Sequence, residues 1–253
     1  MTLCHVQPIA VVRSPFQEKF STPRQAGLTP SVRARIELLP GYASPETVRG
    51  LDQFSHIWLI FLFHRHLSQP WHPTVRPPRL GGNRRVGVFA SRSPFRPNPI
   101  GLSAVKLLAT EIANGSVWLE VEGADLIDEP PIIDIKPYTP YADCLPDASG
   151  GFADQAPQPR LKVHFTPAAQ QQLKTFAAET PGLENLIRET LSLDPRPAYR
   201  QQEEDERSYG CLLDRYNVLW QVERDRLIVT RISVASPNAG QASQRSLPGT
   251  PCP

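Results

Sequence analysis

Residues 102–121 read LSAVKLLATEIANGSVWLEV, two runs rich in leucine and valine on either side of Asn114-Gly115. Asn-Gly accepts the positive φ angles of a tight two-residue turn, so it joins antiparallel strands. The stretch therefore predicts strands over Leu102–Leu108 and Ser116–Val121, folded on each other. Outward from it, Val32, Ala34, Ile36 and Leu38 alternate with Arg33, Arg35 and Glu37, the period of a half-buried strand over Val32–Leu39. Val6–Val12, Ile57–Phe63, Val86–Ala90 and Ile132–Ile135 are short, β-branched or aromatic, and bounded by Pro, Gly or Asn. No helical periodicity separates these strands, which excludes a repeating βαβ sheet. The expected fold class is mainly β: an N-terminal β-barrel, not a Rossmann sheet, with a small α+β C-terminal domain.

The second part of the chain reads differently. Ala153–Pro159 turns to Ala, Gln and Pro, the composition of a linker. Arg160–Phe165 reads as a strand. Pro167–Ala178 and Leu183–Leu193 read as helices, the first with Thr166 as N-cap and proline at its first position. Tyr209–Leu213, Tyr216–Val222 and Leu227–Val234 read as a meander. The expected division is a barrel over 1–150, a linker over 151–159, a small domain over 160–235 and a disordered tail over 236–253.

The chain has 253 residues and a formal net charge of +2, so overall charge says little about partners. Its 28 prolines, about twice the usual share, argue against long helices. Its longest apolar run, Ile57–Phe63, is far shorter than the roughly 20 residues that span a bilayer, and the N-terminus lacks the pattern of a secretory signal. Cys4, Cys144, Cys211 and Cys252 are scattered without a Cys-x-x-Cys pair, as in a protein of the reducing cytoplasm. Neither a G-x-G-x-x-G nor a P-loop pattern occurs, which leaves both common nucleotide cradles unsupported. His64 and His66, two apart on an expected strand, would share a face. With no acid near them they read as polar contacts, and no metal is expected.

Charge is uneven along the chain. Between Gln53 and Thr110 there is no Asp or Glu, while Arg65, Arg76, Arg79, Arg84, Arg85, Arg92, Arg96 and Lys106 all fall there. A one-sign stretch of this length suits a polyanion, and arginine in particular matches phosphate and stacks on bases. Within it, Gly87–Gly101 reads GVFASRSPFRPNPIG, where Pro94, Pro97 and Pro99 hold the backbone extended behind Arg92, Arg96 and Asn98. Such rigid presentation of polar groups reduces the entropy lost when a ligand binds.

These blocks carry a resemblance. GVFASRSPFRPNPIG, with VVRSPFQEKFSTPRQAGL, VRGLDQFSHIWLIFLFH, TVRPPRLGGNRRVGVFA, DLIDEPPIIDIKPYTPYADCLPDA and DPRPAYR in that order, resembles the TsaA-like or TrmO family. The resemblance implies a homodimeric β-barrel that uses S-adenosylmethionine. It also implies methylation of N6 of the threonylcarbamoyl-adenine 3′ to the anticodon, position 37, of threonine tRNA. It places the cofactor at Pro23, Arg24, Gln25, His64, Arg65, Arg92, Leu102, Glu122, Gly123, Ala124 and Asp125. At Arg65 the family tends to carry glutamine, so there the backbone is the expected contact.

Asp134-Ile-Lys-Pro-Tyr138 sets Asp134 and Lys136 on one face of an expected strand, close enough to pair. The substrate N6 is a ureido N–H, and a base that withdraws its proton would help it attack a methyl group. Asp134, Asp128 and Tyr138 are the candidates. Arg76, Arg79, Arg84 and Arg85 are expected on the tRNA backbone. In DPRPAYR local pattern fits a helix stop with a packing tyrosine as well as an RNA contact, and the resemblance implies Arg196, Tyr199 and Arg200 on unpaired RNA. A non-catalytic RNA-binding barrel, or a related methyltransferase with another substrate, remains the alternative.

Overall fold

The computed structural model describes residues 5–197, 200–201 and 207–235. Six strands close into a barrel: β1 (Ala10–Arg13), β2 (Arg33–Leu38), β3 (His56–Leu62), β6 (Ile100–Ala113), β7 (Ser116–Glu122) and β8 (Pro131–Pro137). Their order around it is β1-β2-β7-β6-β3-β8, with every neighbouring pair antiparallel. A two-stranded hairpin, β4 (Thr74–Val75) and β5 (Val86–Gly87), stands apart from the barrel. Alternation decides which side chains fill the interior. Ile57, Leu59 and Phe61 of β3, Val105 and Leu107 of β6 and Val117, Leu119 and Val121 of β7 form one buried cluster with β1, β2 and β8.

The hairpin expected at Asn114-Gly115 is present, with φ of 51° and 75° at its two residues. Two local expectations fail. Val86–Ala90 is a strand only through Gly87, then turns as a 3₁₀ segment at Val88–Ala90. His64 and His66 lie in a 3₁₀ turn, His64–His66, beyond the end of β3 and not on the strand. The last ladder bond runs from Phe63 N–H to Pro99 O at 2.8 Å, one step beyond Leu62 opposite Ile100; Pro99 has no N–H to return, and the chain turns there.

Gly101 faces the barrel interior, and any Cβ there would sit inside the Phe61 ring, itself only 6% exposed. Gly101→Ala is expected to destabilise the protein by about 1–3 kcal/mol through overpacking, measured as a lower denaturation midpoint at unchanged slope.

The remainder is a four-stranded sheet, β9 (Lys162–Phe165), β10 (Tyr209–Leu213), β11 (Tyr216–Glu223) and β12 (Arg226–Val234), in the order β10-β11-β12-β9. A short turn of helix, α1 (Pro140–Asp143), follows the barrel; α2 (Pro167–Ala177) and α3 (Leu183–Ser192) pack on the second sheet. Thr166 caps α2, its hydroxyl accepting from Ala169 N–H at 3.2 Å, with Pro167 at the first turn. The tail expected to be disordered, 236–253, lies outside the described residues. Among the described residues no helix is long and apolar enough to cross a membrane.

Candidate active site

The barrel register brings the cofactor segments named from sequence to one end. Arg13 pairs near Arg35, Leu62 with Ile100, Arg33 with Glu122, and Val11 with Pro131. The end of β1, the start of β2, the end of β3, the start of β6, the end of β7 and the start of β8 therefore share a rim. Residues 23–25 lie in the β1–β2 connection, His64 and Arg65 just beyond β3, Arg92 in the loop before β6, Leu102 near the start of β6, Glu122 at the end of β7 and 123–125 just beyond it.

A gap in the wall opens there. The ladder between β6 and β7 begins at Lys106 opposite Glu122, so Ile100–Val105 runs on past the end of β7. Gly123 turns the chain away at φ 76° and accepts a hydrogen bond from Gly27 N–H at 2.8 Å. A Cβ at Gly123 would press on the Gly27 backbone at 3.4 Å. Ser103 Oγ donates to Asp125 Oδ1 at 2.6 Å across this gap, and Arg92 Nη1 donates to Gln25 Oε1 at 2.7 Å. Burial pushes the Asp125 carboxyl above its ordinary range. The Ser103 hydroxyl, the Arg92 charge and the Ala26 N–H hold that rise back. Ser103 was not among the residues picked from sequence, yet a hydroxyl between Gly101 and Val105 on the buried face of β6 signals a polar task.

The other members divide between side chain and scaffold. Pro23 and Ala124 are buried, while Arg24 is exposed. Glu122 turns its carboxylate to Lys106 Nζ at 3.0 Å, so only its main chain faces the gap. Arg65 Nη2 donates to Gln17 O at 3.1 Å, an anchor to the β1–β2 connection. Burial, with the neighbouring Arg65 charge, lowers the His64 pKa; burial, with the Lys19 charge, lowers that of His66, so both are neutral at neutral pH. The Leu102 side chain points out of the barrel beside Ile60, away from Asp125, and is 46% exposed.

Residues 11–144 match the tRNA-methyltransferase O N-terminal domain, and residues 158–235 match the TrmO C-terminal domain. The chain belongs to the TrmO family. It is 48% identical over 222 residues to the tRNA (adenine(37)-N6)-methyltransferase of Escherichia coli, covering 88% of this chain and 94% of that one. It is 46% identical over 224 residues to a Pseudomonas aeruginosa protein described as a candidate S-adenosylmethionine-dependent methyltransferase, again covering 88% and 94%. The crystal structure of TrmO from P. aeruginosa superposes with a TM-score of 0.76 at 38% identity, over 93% of this chain and 99% of that one.

The three acceptor candidates of this TrmO chain are not brought together. Asp128 is on the rim: Oδ1 accepts from Ser14 N–H at 2.8 Å, and its N–H donates to Phe16 O at 2.7 Å. Its charge, with that of Glu129, reaches His64. Asp134 is part-way along the outer wall, paired with Lys136 at 2.7 Å, so the ion pair expected from sequence is present. Tyr138 is at the opposite rim, against Trp58 and His56, about 20 Å of strand from Pro131. The length of β8 thus sets the three candidates at different heights on the barrel.

The basic residues separate as well. Arg76 and Arg85 line a shallow cleft of about 390 Å³ with His72, Pro73 and Thr74, where Arg85 Nη1 donates to Thr74 Oγ1 at 3.1 Å. Arg84 is exposed beside it. Arg79 instead donates to the carbonyls of Ala153 and Gln155, tying the β4–β5 hairpin to the segment before β9. Arg196 is the clearest departure: at 2% exposure it grips Asp194 through two bonds of 2.8 Å and faces inward, not toward RNA. Arg200 follows in a turn, partly exposed, and Tyr199 lies outside the described residues. Among the described residues no group of three His, Cys, Asp or Glu side chains could hold a metal ion.

Proposed function

We propose that this chain methylates N6 of threonylcarbamoylated adenine 37 in threonine tRNA, with S-adenosylmethionine held at the β6–β7 gap. The enzyme class, a tRNA (adenine(37)-N6)-methyltransferase, comes with family membership and the 48% identity over most of the chain. The observation that carries the rest is the meeting of Gln25, Arg92, Ser103 and Asp125 at one rim of a closed barrel.

The residues present fit the cofactor. Its amino-acid end carries a carboxylate and an ammonium, and Arg92 and Asp125 offer the two opposite charges at one rim, near enough for the Arg92 charge to act on the Asp125 carboxyl. Gln25 orients the Arg92 guanidinium. Gly123 is scaffold, its N–H donated to Val32 O and its C=O accepting from Gly27 N–H, which leaves the flanking backbone of Glu122 and Ala124 to meet the adenosine. Bound there, S-adenosylmethionine supplies an electrophilic methyl on a sulfonium. What remains for the protein is to hold the adenine in line and to accept the N6 proton. Of the acid candidates only Asp128 stands on the rim, and we assign the proton to it; Asp134 and Lys136 act as a surface pair.

Arg76, Arg84 and Arg85 meet the tRNA backbone, with no carboxylate in 53–110 to compete. Reversing Arg76 and Arg85 to Glu is expected to raise KM for tRNA at least tenfold while cofactor affinity is kept, and wild-type tRNA affinity should fall steeply with salt as counterions are released. Salt-independent binding would contradict this surface.

The protein is read as a cytoplasmic homodimer. Ile100 and Leu102 expose 39% and 46% of their surface on the outer wall, in rows with Leu62 and Ile60, and such an apolar strip suits a second copy. Ile100→Asp is expected to shift the sedimentation mass toward one chain; an unchanged mass would move the interface elsewhere. Calorimetry with S-adenosylmethionine tests the reading as a whole, because a non-catalytic RNA-binding barrel gives no saturable heat.

A further inference from the structure

The C-terminal domain is built around the cofactor loop. Phe16 and Val32, which flank the β1–β2 connection, are buried at 0% and 2% in the core of the second domain, among Leu213, Trp220 and Ile187. Phe16 forms an antiparallel bridge with Leu213, and Pro15 O accepts from Asp214 N–H. Inside the loop, the Phe20 ring stacks on Trp220 at 6.3 Å and on Tyr209 at 6.4 Å.

Two carboxylates clamp the loop on either side of Pro23–Gln25. Glu18 Oε1, from the loop, accepts from Leu212 N–H on β10 at 3.0 Å. Glu189 Oε2, from α3, accepts from Ser31 N–H at 3.0 Å. Each is a charge-assisted bond to a backbone group, the stronger kind of hydrogen bond. Between the clamps the loop touches the barrel through Gly27 N–H to Gly123 O and through Gln25 to Arg92. The C-terminal domain thus holds both shoulders of the loop whose tip forms one wall of the gap.

We propose that the C-terminal domain sets the cofactor loop, with Glu18 and Glu189 as positioning residues for S-adenosylmethionine binding. This rests on the reading of Gln25 and its neighbours as cofactor contacts. Loosening the clamps lets the loop leave its binding-competent shape, and apparent affinity falls in proportion to the competent fraction. The domain would then couple to the cofactor without touching it.

The test uses the full-length chain carrying Glu18→Ala with Glu189→Ala. S-adenosylmethionine Kd is expected to rise about tenfold and Gly27 amide exchange to quicken by a similar factor, as for a loop competent a tenth of the time. At saturating cofactor, kcat stays within about threefold of wild type, a split that general misfolding would not give. Glu18→Gln with Glu189→Gln keeps an acceptor at each clamp and is expected to restore both readouts. If the alanine pair does not fold, Phe20→Leu, which removes the stacking but keeps apolar volume, gives the same two readouts. Wild-type Kd and wild-type Gly27 exchange in a folded clamp variant would overturn the proposal. Absence of saturable cofactor binding in the wild type would instead refute the cofactor reading, and Gly27 exchange would still decide whether the domain sets the loop.

Discussion

Asp125→Asn is expected to weaken S-adenosylmethionine binding by about 1.5–3 kcal/mol, some ten- to a hundredfold in Kd, the usual worth of a hydrogen bond to a charged group. The same substitution is expected to make the free protein more stable at neutral pH. The sign follows from linkage. Burial raises the Asp125 carboxyl in the folded state, so the folded chain binds that proton more readily than the unfolded one. Stability from this group is present below the ordinary carboxylate range and is lost as pH rises through the raised value. Asparagine keeps the acceptor for Ser103 and removes the charge that costs stability. Loss of binding together with a higher melting temperature is the combined result expected of a site residue, whereas a residue kept for folding would lower both. The same shift predicts that cofactor affinity of the wild type falls on acidification through the raised Asp125 value. Arg92→Ala should lose affinity by a similar factor, without the gain in stability.

Asp128→Asn is expected to lower kcat about a hundredfold or more, the usual contribution of a positioned general base, with little change in cofactor Kd. The fold should survive, because an asparagine oxygen can still accept the Ser14 N–H that Asp128 Oδ1 accepts at 2.8 Å. Asp134→Asn is the matched control. It breaks the exposed pair with Lys136, a contact worth under about 1 kcal/mol, and should leave single-turnover methylation near wild type. If the two variants exchange these outcomes, the base lies on the barrel wall and not on its rim.

Much of the barrel was legible because its signals are local. Asn114-Gly115 specifies its turn by its own φ preferences, and alternation in 33–38 needs only neighbouring residues. The same holds for Thr166 and Pro167 at the start of α2. The expectations that failed depend on contacts far along the chain. His64 and His66 continue an apolar run by pattern, but Phe63 falls opposite Pro99, which has no N–H to give back, and the strand stops. Arg196 is placed on RNA by the resemblance, and the packing around Asp194 turns it inward. At the site, the segments around 23–25, 92 and 122–125 could be named from resemblance. Their meeting could not, since it depends on barrel closure and on how far β6 overruns β7. Register likewise separates Asp134 from Tyr138, which look close in the DIKPY block.

The proposed reaction transfers one methyl group to one nitrogen of one nucleotide. The direct measurement incubates the purified protein with threonine tRNA bearing threonylcarbamoyl-adenine at position 37 and with S-adenosylmethionine labelled in its methyl group, then analyses the digested nucleosides by mass spectrometry. One labelled methyl on N6 of that adenine is expected, formed about a hundredfold more slowly with Asp128→Asn and reduced at subsaturating cofactor with Asp125→Asn. Unlabelled adenine 37 from a folded protein that binds both cofactor and tRNA would contradict it.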